Sequence, residues 1–303
     1  MAGKRPLRIG LYIPNGTGYM ANGVHRWSDI LAYAQAAEAV GFDSVWVADH
    51  MLFRFPGEET QSRWECWSVL SAIAAVTTTV ELGPLVSCMS FRNPAHLAKI
   101  TETVDEISNG RVILAVGAGW HEPEYTAYGF PFDHRASRFE EGFQIVHDLL
   151  RTGSSDFSGR FYSVDDCEVT PRGPRPNTIP LIGGTNGERL LRITARLADG
   201  WNTDWIGTPD AVPALREAVD RACELEGRDP ATLSRSACAF IDMPNASGRF
   251  PKADPRAPGP QSHEQIIETL HRYAEEGLSE VMVWLDPNTI EAIEEFGSLM
   301  ARL

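Results

Sequence analysis

Ala37-Glu-Ala-Val-Gly-Phe-Asp-Ser-Val-Trp-Val-Ala-Asp-His50 joins the end of an amphipathic helix to a buried strand through a single glycine. Upstream, Trp27, Ile30, Ala34, Ala37 and Val40 recur on one helical face, and Gly41 supplies the residue at which such a helix stops. Downstream, residues 43–48 are too apolar to leave one face in water, which predicts a strand covered on both sides. Helix followed by two-sided strand is the repeating unit of a parallel sheet with crossover helices, and the unit recurs along the chain. Strands are predicted over 7–13, 43–48, 79–86, 112–117, 180–183, 199–203, 235–241 and 279–285, the sixth having the weakest pattern. Eight such units predict an α/β fold of the closed (β/α)8 TIM-barrel kind. The open doubly wound alternative needs G-x-G-x-x-G after the first strand, and Pro14-Asn-Gly-Thr-Gly-Tyr-Met20 does not match it.

Helix boundaries carry their own chemistry. Asn93-Pro94 sets a capping side chain before a proline at the first helical position, Leu97, Ile100, Val104 and Ile107 follow at helical spacing, and Asn109-Gly110 ends the run. Ser262-x-x-Gln265 is a capping box opening a helix that closes at Gly277, and the last helix sets Ile290, Ile293, Phe296 and Leu299 on one face. Between the fourth and fifth strands lies a long excursion: a helix over 134–152 with Phe139, Phe143 and Val146 inward, then a hairpin over 159–169. Residues 242–262, with five prolines, read as a loop or mobile lid. A barrel uses about 250 residues as one unit, so all 303 are assigned to a single domain spanning 1–303.

Composition narrows the function classes. With 41 acidic against 27 basic residues and a net charge of −14, the averaged field repels nucleic acid and anionic membrane surfaces. The five cysteines form neither a C-x-x-C pair nor a disulfide framework, and the start of the chain has no apolar signal core, so a cytoplasmic protein that neither spans nor binds membranes is expected. The eight histidines include no H-x-H and no H-E-x-x-H, which argues against a metal site, and no G-x-S-x-G elbow offers a serine nucleophile.

In a barrel, chemistry collects where strands end. His50 closes the second strand, where an imidazole either moves a proton at the mouth or bonds a loop carbonyl; Asp49 beside it reads as an orienter sooner than an acid. The end of the third strand, Leu85-Val86-Ser87, is small and apolar enough to wall a flat ligand. Gly117 and Gly119 after the fourth strand either admit a planar ring close to the backbone or serve packing, and Trp120 can stack or cap. Gly183-Gly184-Thr185 leads into a helix N-terminus, a ready place for a phosphate. Trp64 and Trp67, at the start of the second helix, are read as packed against the barrel sooner than as anchors of a dimer contact.

Several of these stretches together resemble the luciferase-like monooxygenase superfamily, in its branch of flavin- or F420-dependent oxidoreductases. The resemblance rests on Ala37–His50, on Arg92-Asn-Pro-Ala95 with Leu97-Ala-Lys99, on Thr103–Arg111, on Gly117-Ala-Gly-Trp120 and on Ala198-Asp-Gly-Trp-Asn202. It implies a barrel of the bacterial luciferase-like type that binds F420 or FMN at its carboxyl face and acts on a small organic substrate. A flavin reductase partner would be needed if the cofactor is FMN, and a homodimer is expected. By the same resemblance His50 faces the reactive side of the ring, a non-proline cis peptide lies near Leu85, Val86 and Ser87, and Gly183, Gly184 and Thr185 belong to the phosphate loop. The chain departs from bacterial luciferase at Ala118 and Gly119, where that protein has a reactive thiol and an arginine. It departs from F420-dependent sugar-phosphate dehydrogenases at Trp120, where those carry an acid. Light emission and sugar oxidation are therefore not implied. The rival reading is a flavin-binding barrel without catalysis.

Overall fold

The computed structural model describes residues 5–20, 23–246 and 256–303. Eight strands point the same way round a closed barrel: β1 (Arg8–Tyr12), β2 (Ser44–Val47), β3 (Glu81–Pro84), β4 (Leu114–Gly117), β5 (Leu181–Gly184), β6 (Gly200–Ile206), β7 (Ser234–Asp242) and β8 (Glu280–Asp286). Parallel pairing runs β3-β2-β1-β8-β7-β6-β5-β4. The ring closes because Ser87 and Cys88, just past β3, pair with Val116 and Gly117 of β4, while Leu82 bridges Val112 lower down. The third strand is thus two short pieces where the sequence predicts one over 79–86, with a cis peptide between Leu85 and Val86 at the break. The sixth strand, the weakest in pattern, is seven residues long.

Nine helices lie among the described residues: α1 (Trp27–Val40), α2 (Cys66–Val76), α3 (Pro94–Ile107), α4 (Glu122–Tyr128), α5 (Arg135–Thr152), α6 (Glu188–Leu197), α7 (Val212–Leu225), α8 (His263–Glu275) and α9 (Ile290–Met300). The expected caps are present. Asn93 Oδ1 accepts from Ala95 and His96 amides, Ser262 and Gln265 form their reciprocal box, and Gly41 ends α1 in the left-handed region. Two inward assignments fail: Trp27 is 41% exposed and Ile107 45% exposed, since each sits at a helix end beyond reach of the barrel. The excursion is α4, α5 and an antiparallel hairpin of Ser154–Ser158 with Ser163–Glu168, beginning five residues before the predicted one. Phe139, Phe143 and Val146 are fully buried as expected. Of the predicted lid, residues 247–255 lie outside the described residues. Among the described residues no helix is long and apolar enough to cross a membrane.

The two-residue period of the strands sorts side chains into an outer layer and a barrel interior. Val45 and Val47 of β2, and Val281, Val283 and Leu285 of β8, join the outer core beneath the helices. Their alternates Trp46 and Met282 fill the interior with Ile113, Ala115 and Cys238. Trp46 is the central plug; a Cβ on Gly10 or Gly83 would lie 2.5 Å or 2.8 Å from its ring, so those strands carry no side chain there. One layer higher, Tyr12, Ala48, Phe240 and Trp284 close the interior, with Leu85 and Trp205 half-buried above them. That layer is the floor of the carboxyl mouth.

Candidate active site

Extending the β2 alternation past Trp46 and Ala48 brings His50 over the mouth and turns Asp49 outward. The structure follows this split. Asp49 is 3% exposed and accepts four hydrogen bonds, from Arg92 Nη1 (2.6 Å) and Nη2 (2.9 Å), Ser87 Oγ (3.2 Å) and the Cys88 amide (2.9 Å). Arg92 also meets Glu65, the N-cap of α2. Burial alone would weaken the Arg92 charge, yet Asp49, with help from Glu65, outweighs it and holds its pKa above the ordinary value. Asp49 therefore ties the end of β2 to the residues after the β3 break, Ser87, Cys88 and Arg92.

His50 is half-buried, and its Nδ1 lies 2.8 Å from Glu124 Oε1, with Glu124 itself 1% exposed. The other carboxylate oxygen accepts the Met51 amide at 2.9 Å. Around the imidazole stand Phe53 (centroids 4.3 Å apart) and Trp120 (5.8 Å, edge-on), and Phe53 stacks in turn on Trp120 and Phe55. Trp120 is 56% exposed, so it rims the mouth. His121 packs on the same rings, and burial lowers its pKa despite the nearby Glu124.

Leu85 and Val86, flanking the cis peptide, are partly exposed toward the mouth, whereas Ser87 is fully buried. The Ser87 hydroxyl lies between Trp67 Nε1 (3.1 Å) and Asp49, so of the three predicted wall residues it is the one that serves the scaffold. Trp67 is buried as expected, while Trp64 is 49% exposed and donates from Nε1 to the His25 carbonyl.

The glycines predicted to admit a ring have packing partners of their own. A Cβ on Gly117 or on Gly184 would come within 2.6 Å of the Val86 side chain, so the valine occupies the room both leave. Gly183, a strand residue like Gly184 and not part of the following loop, is pressed by Thr194 of α6. Gly119 has φ +73°, and a Cβ there would fall 1.8 Å from Tyr125 Oη and 2.7 Å from Cys88 Sγ. Gly119→Ala combines backbone strain with overpacking and is expected to cost about 2–4 kcal/mol, readable as a lowered urea midpoint with unchanged slope. Thr185 is buried, its hydroxyl 2.8 Å from that of Thr194 and its carbonyl accepting Trp201 Nε1 at 2.9 Å. The loop it opens delivers α6 at Gly187 with no side-chain cap, leaving the first-turn amides for other acceptors.

Four residues of this constellation carry no role in the sequence reading: Glu124, Arg92, Trp205 and Tyr12. Arg92 stands in a quoted motif without a stated task, and His121-Glu-Pro-Glu124 shows the acidic first turn of a helix, not where its last carboxylate points. Trp205 stacks on Phe240 (4.9 Å) and meets Tyr12 edge-on (5.4 Å), a contact between three strands that no local pattern encodes.

Comparison with known proteins places the chain in a family. The family model described as luciferase-like monooxygenase matches residues 7–243. The chain is 33% identical over 204 residues to an F420-dependent glucose-6-phosphate dehydrogenase of Amycolatopsis mediterranei, covering 64% of this chain and 60% of that protein. It is 30% identical over 240 residues to the pyrimidine monooxygenase RutA of Yersinia enterocolitica, covering 74% and 64%. The matches thus span less than two thirds of those relatives' own length. Among solved structures, an F420-dependent secondary alcohol dehydrogenase in complex with an F420-acetone adduct superposes with TM-score 0.80 at 20% identity, over 97% of this chain and 98% of that one. The monooxygenase RslO1 of Streptomyces bottropensis gives 0.76 at 19%, over 98% of each. These last two likenesses establish the shared fold.

Proposed function

The chain belongs to the luciferase-like monooxygenase family, and on that premise we propose that it is an oxidoreductase holding F420 or FMN in the carboxyl mouth of the barrel, where a small organic substrate reacts. The observation that carries this reading is His50 at the carboxyl end of β2, its Nδ1 held 2.8 Å from the buried Glu124. A flat ring with an anionic tail fits the residues present. The partly exposed Leu85 and Val86 offer an apolar wall, the layer of Tyr12, Phe240 and Trp284 gives an apolar floor, and the uncapped start of α6 offers amides and a favourable dipole to a phosphate.

When bound, F420 would supply hydride transfer and reduced FMN would supply oxygen activation, the second needing a reductase partner. The protein's own residues do the rest. Asp49 and Arg92 hold the β2 and β3 ends in register, Phe53 and Trp120 keep water from one side of the imidazole, and His50 takes or gives the proton that accompanies substrate oxidation or oxygenation. Likeness to both an F420-dependent dehydrogenase and a pyrimidine monooxygenase supports either cofactor, and the branch of the family favours F420. A homodimer is part of the same reading.

Titrating the purified protein with F420 and with FMN, and following the visible absorption of each, tests the proposal. Saturable binding of one with a shifted spectrum is expected. Binding of neither would sink the cofactor assignment.

A further inference from the structure

We propose that Glu124 is a positioning residue that locks the His50 imidazole in its Nδ1–H form, so that Nε2 is the ring nitrogen that exchanges a proton at the mouth. The inference rests on the reading of His50 as the proton-handling group and adds which atom acts and what holds it. A carboxylate only accepts hydrogen bonds, and a backbone N–H only donates. Glu124 Oε2 is taken by the Met51 amide at 2.9 Å, which fixes the carboxylate's orientation and presents Oε1 to His50 Nδ1 at 2.8 Å. The partner of one ring nitrogen decides the tautomer, so the hydrogen sits on Nδ1 and Nε2 carries the free lone pair.

Among the described residues no other neighbour competes for that role. Phe53 and Trp120 offer rings and no acceptor toward His50. Asp49, adjacent in the chain, is engaged by Arg92, and Arg63 stands beyond Phe53, 4.8 Å from that ring. His121, the second imidazole at the mouth, accepts the Arg54 amide through its Nε2 at 3.0 Å, which leaves it no free lone pair there. Taking a proton at His50 Nε2 creates an imidazolium whose charge meets the Glu124 carboxylate directly, and giving it back restores the neutral ring. Glu124 arrives from α4, four residues after Trp120, so an acid reaches this mouth although the position beside Gly119 carries none.

Long-range proton–nitrogen correlation spectra of 15N-labelled protein test the lock without any cofactor, the His50 signals being assigned by their loss in His50→Asn. The neutral wild-type ring is expected to show a protonated Nδ1 and a bare Nε2. Glu124→Gln must turn an NH2 toward either Met51 or His50. It is expected to shift the tautomer toward Nε2–H and to lower kcat by about tenfold to a hundredfold, with cofactor Kd changed by less than about twofold. Glu124→Asp keeps the charge and should recover part of that loss. A wild-type ring protonated on Nε2, or Glu124→Gln that leaves both tautomer and kcat unchanged, would overturn the proposal. Because the spectrum is read on the protein alone, its result is independent of whether F420 or FMN binds.

Discussion

Replacing His50 by alanine is expected to lower turnover by about a hundredfold or more while cofactor affinity changes little. That is the usual scale for a lost general acid or base, about 2.7 kcal/mol of transition-state stabilisation. The geometry says why the effect should fall on kcat. His50 packs on Phe53 and Trp120 at the rim, whereas the features suited to a ring and its tail are the β3 break, the aromatic floor and the start of α6. On the proposed reading, removing the imidazole takes away the proton-handling atom and leaves the proposed cofactor cradle in place. Steady-state kinetics with a visible-spectrum Kd for the same variant check this. Unchanged turnover would remove His50 from the proton-handling role.

The second large effect is on stability. Asp49→Ala removes four hydrogen bonds from a nearly water-free site and leaves the Arg92 guanidinium, 9% exposed, facing only the half-exposed Glu65. Breaking a buried pair by deleting one partner costs about 3–5 kcal/mol, because the remaining charge stays desolvated. For a chain of 303 residues that is about 5–8 °C in Tm by calorimetry. A second variant, Asp49→Asn, separates the two roles open for this residue. A stable Asp49→Asn protein with wild-type Tm and no turnover would make Asp49 a catalytic acid; a fall in Tm that carries turnover with it makes it the orienter that the four bonds describe.

The barrel was legible because burial on two faces and helical spacing are local properties. The β/α alternation, the caps at Asn93 and Ser262 and the end of α1 at Gly41 all lie within a few residues of the signal that announces them. His50 and Asp49 were separable for the same reason, since neighbours on a strand face opposite ways. The glycines show where that legibility stops. Gly117, Gly183, Gly184 and Gly119 mark close approaches, but whether a ligand or a protein side chain does the approaching depends on Val86, Thr194 and Tyr125, which come from other elements. Glu124 and Trp205 were invisible on the same ground. One reaches His50 only because α4 folds back over the β2 loop, and the other meets Tyr12 and Phe240 only once the barrel has closed. Trp27 and Ile107 kept the helical period while lying past the barrel's edge, which periodicity cannot report.

A crystal structure of the protein with whichever cofactor it binds bears most directly on the central claim. The expected result is a tricyclic ring lying against the Leu85–Val86 peptide and facing His50, with its phosphate on the amides between Thr185 and Glu188. A ring bound away from the mouth, or a mouth still filled by the stack of Trp205 on Phe240 with the phosphate lodged elsewhere, would contradict it.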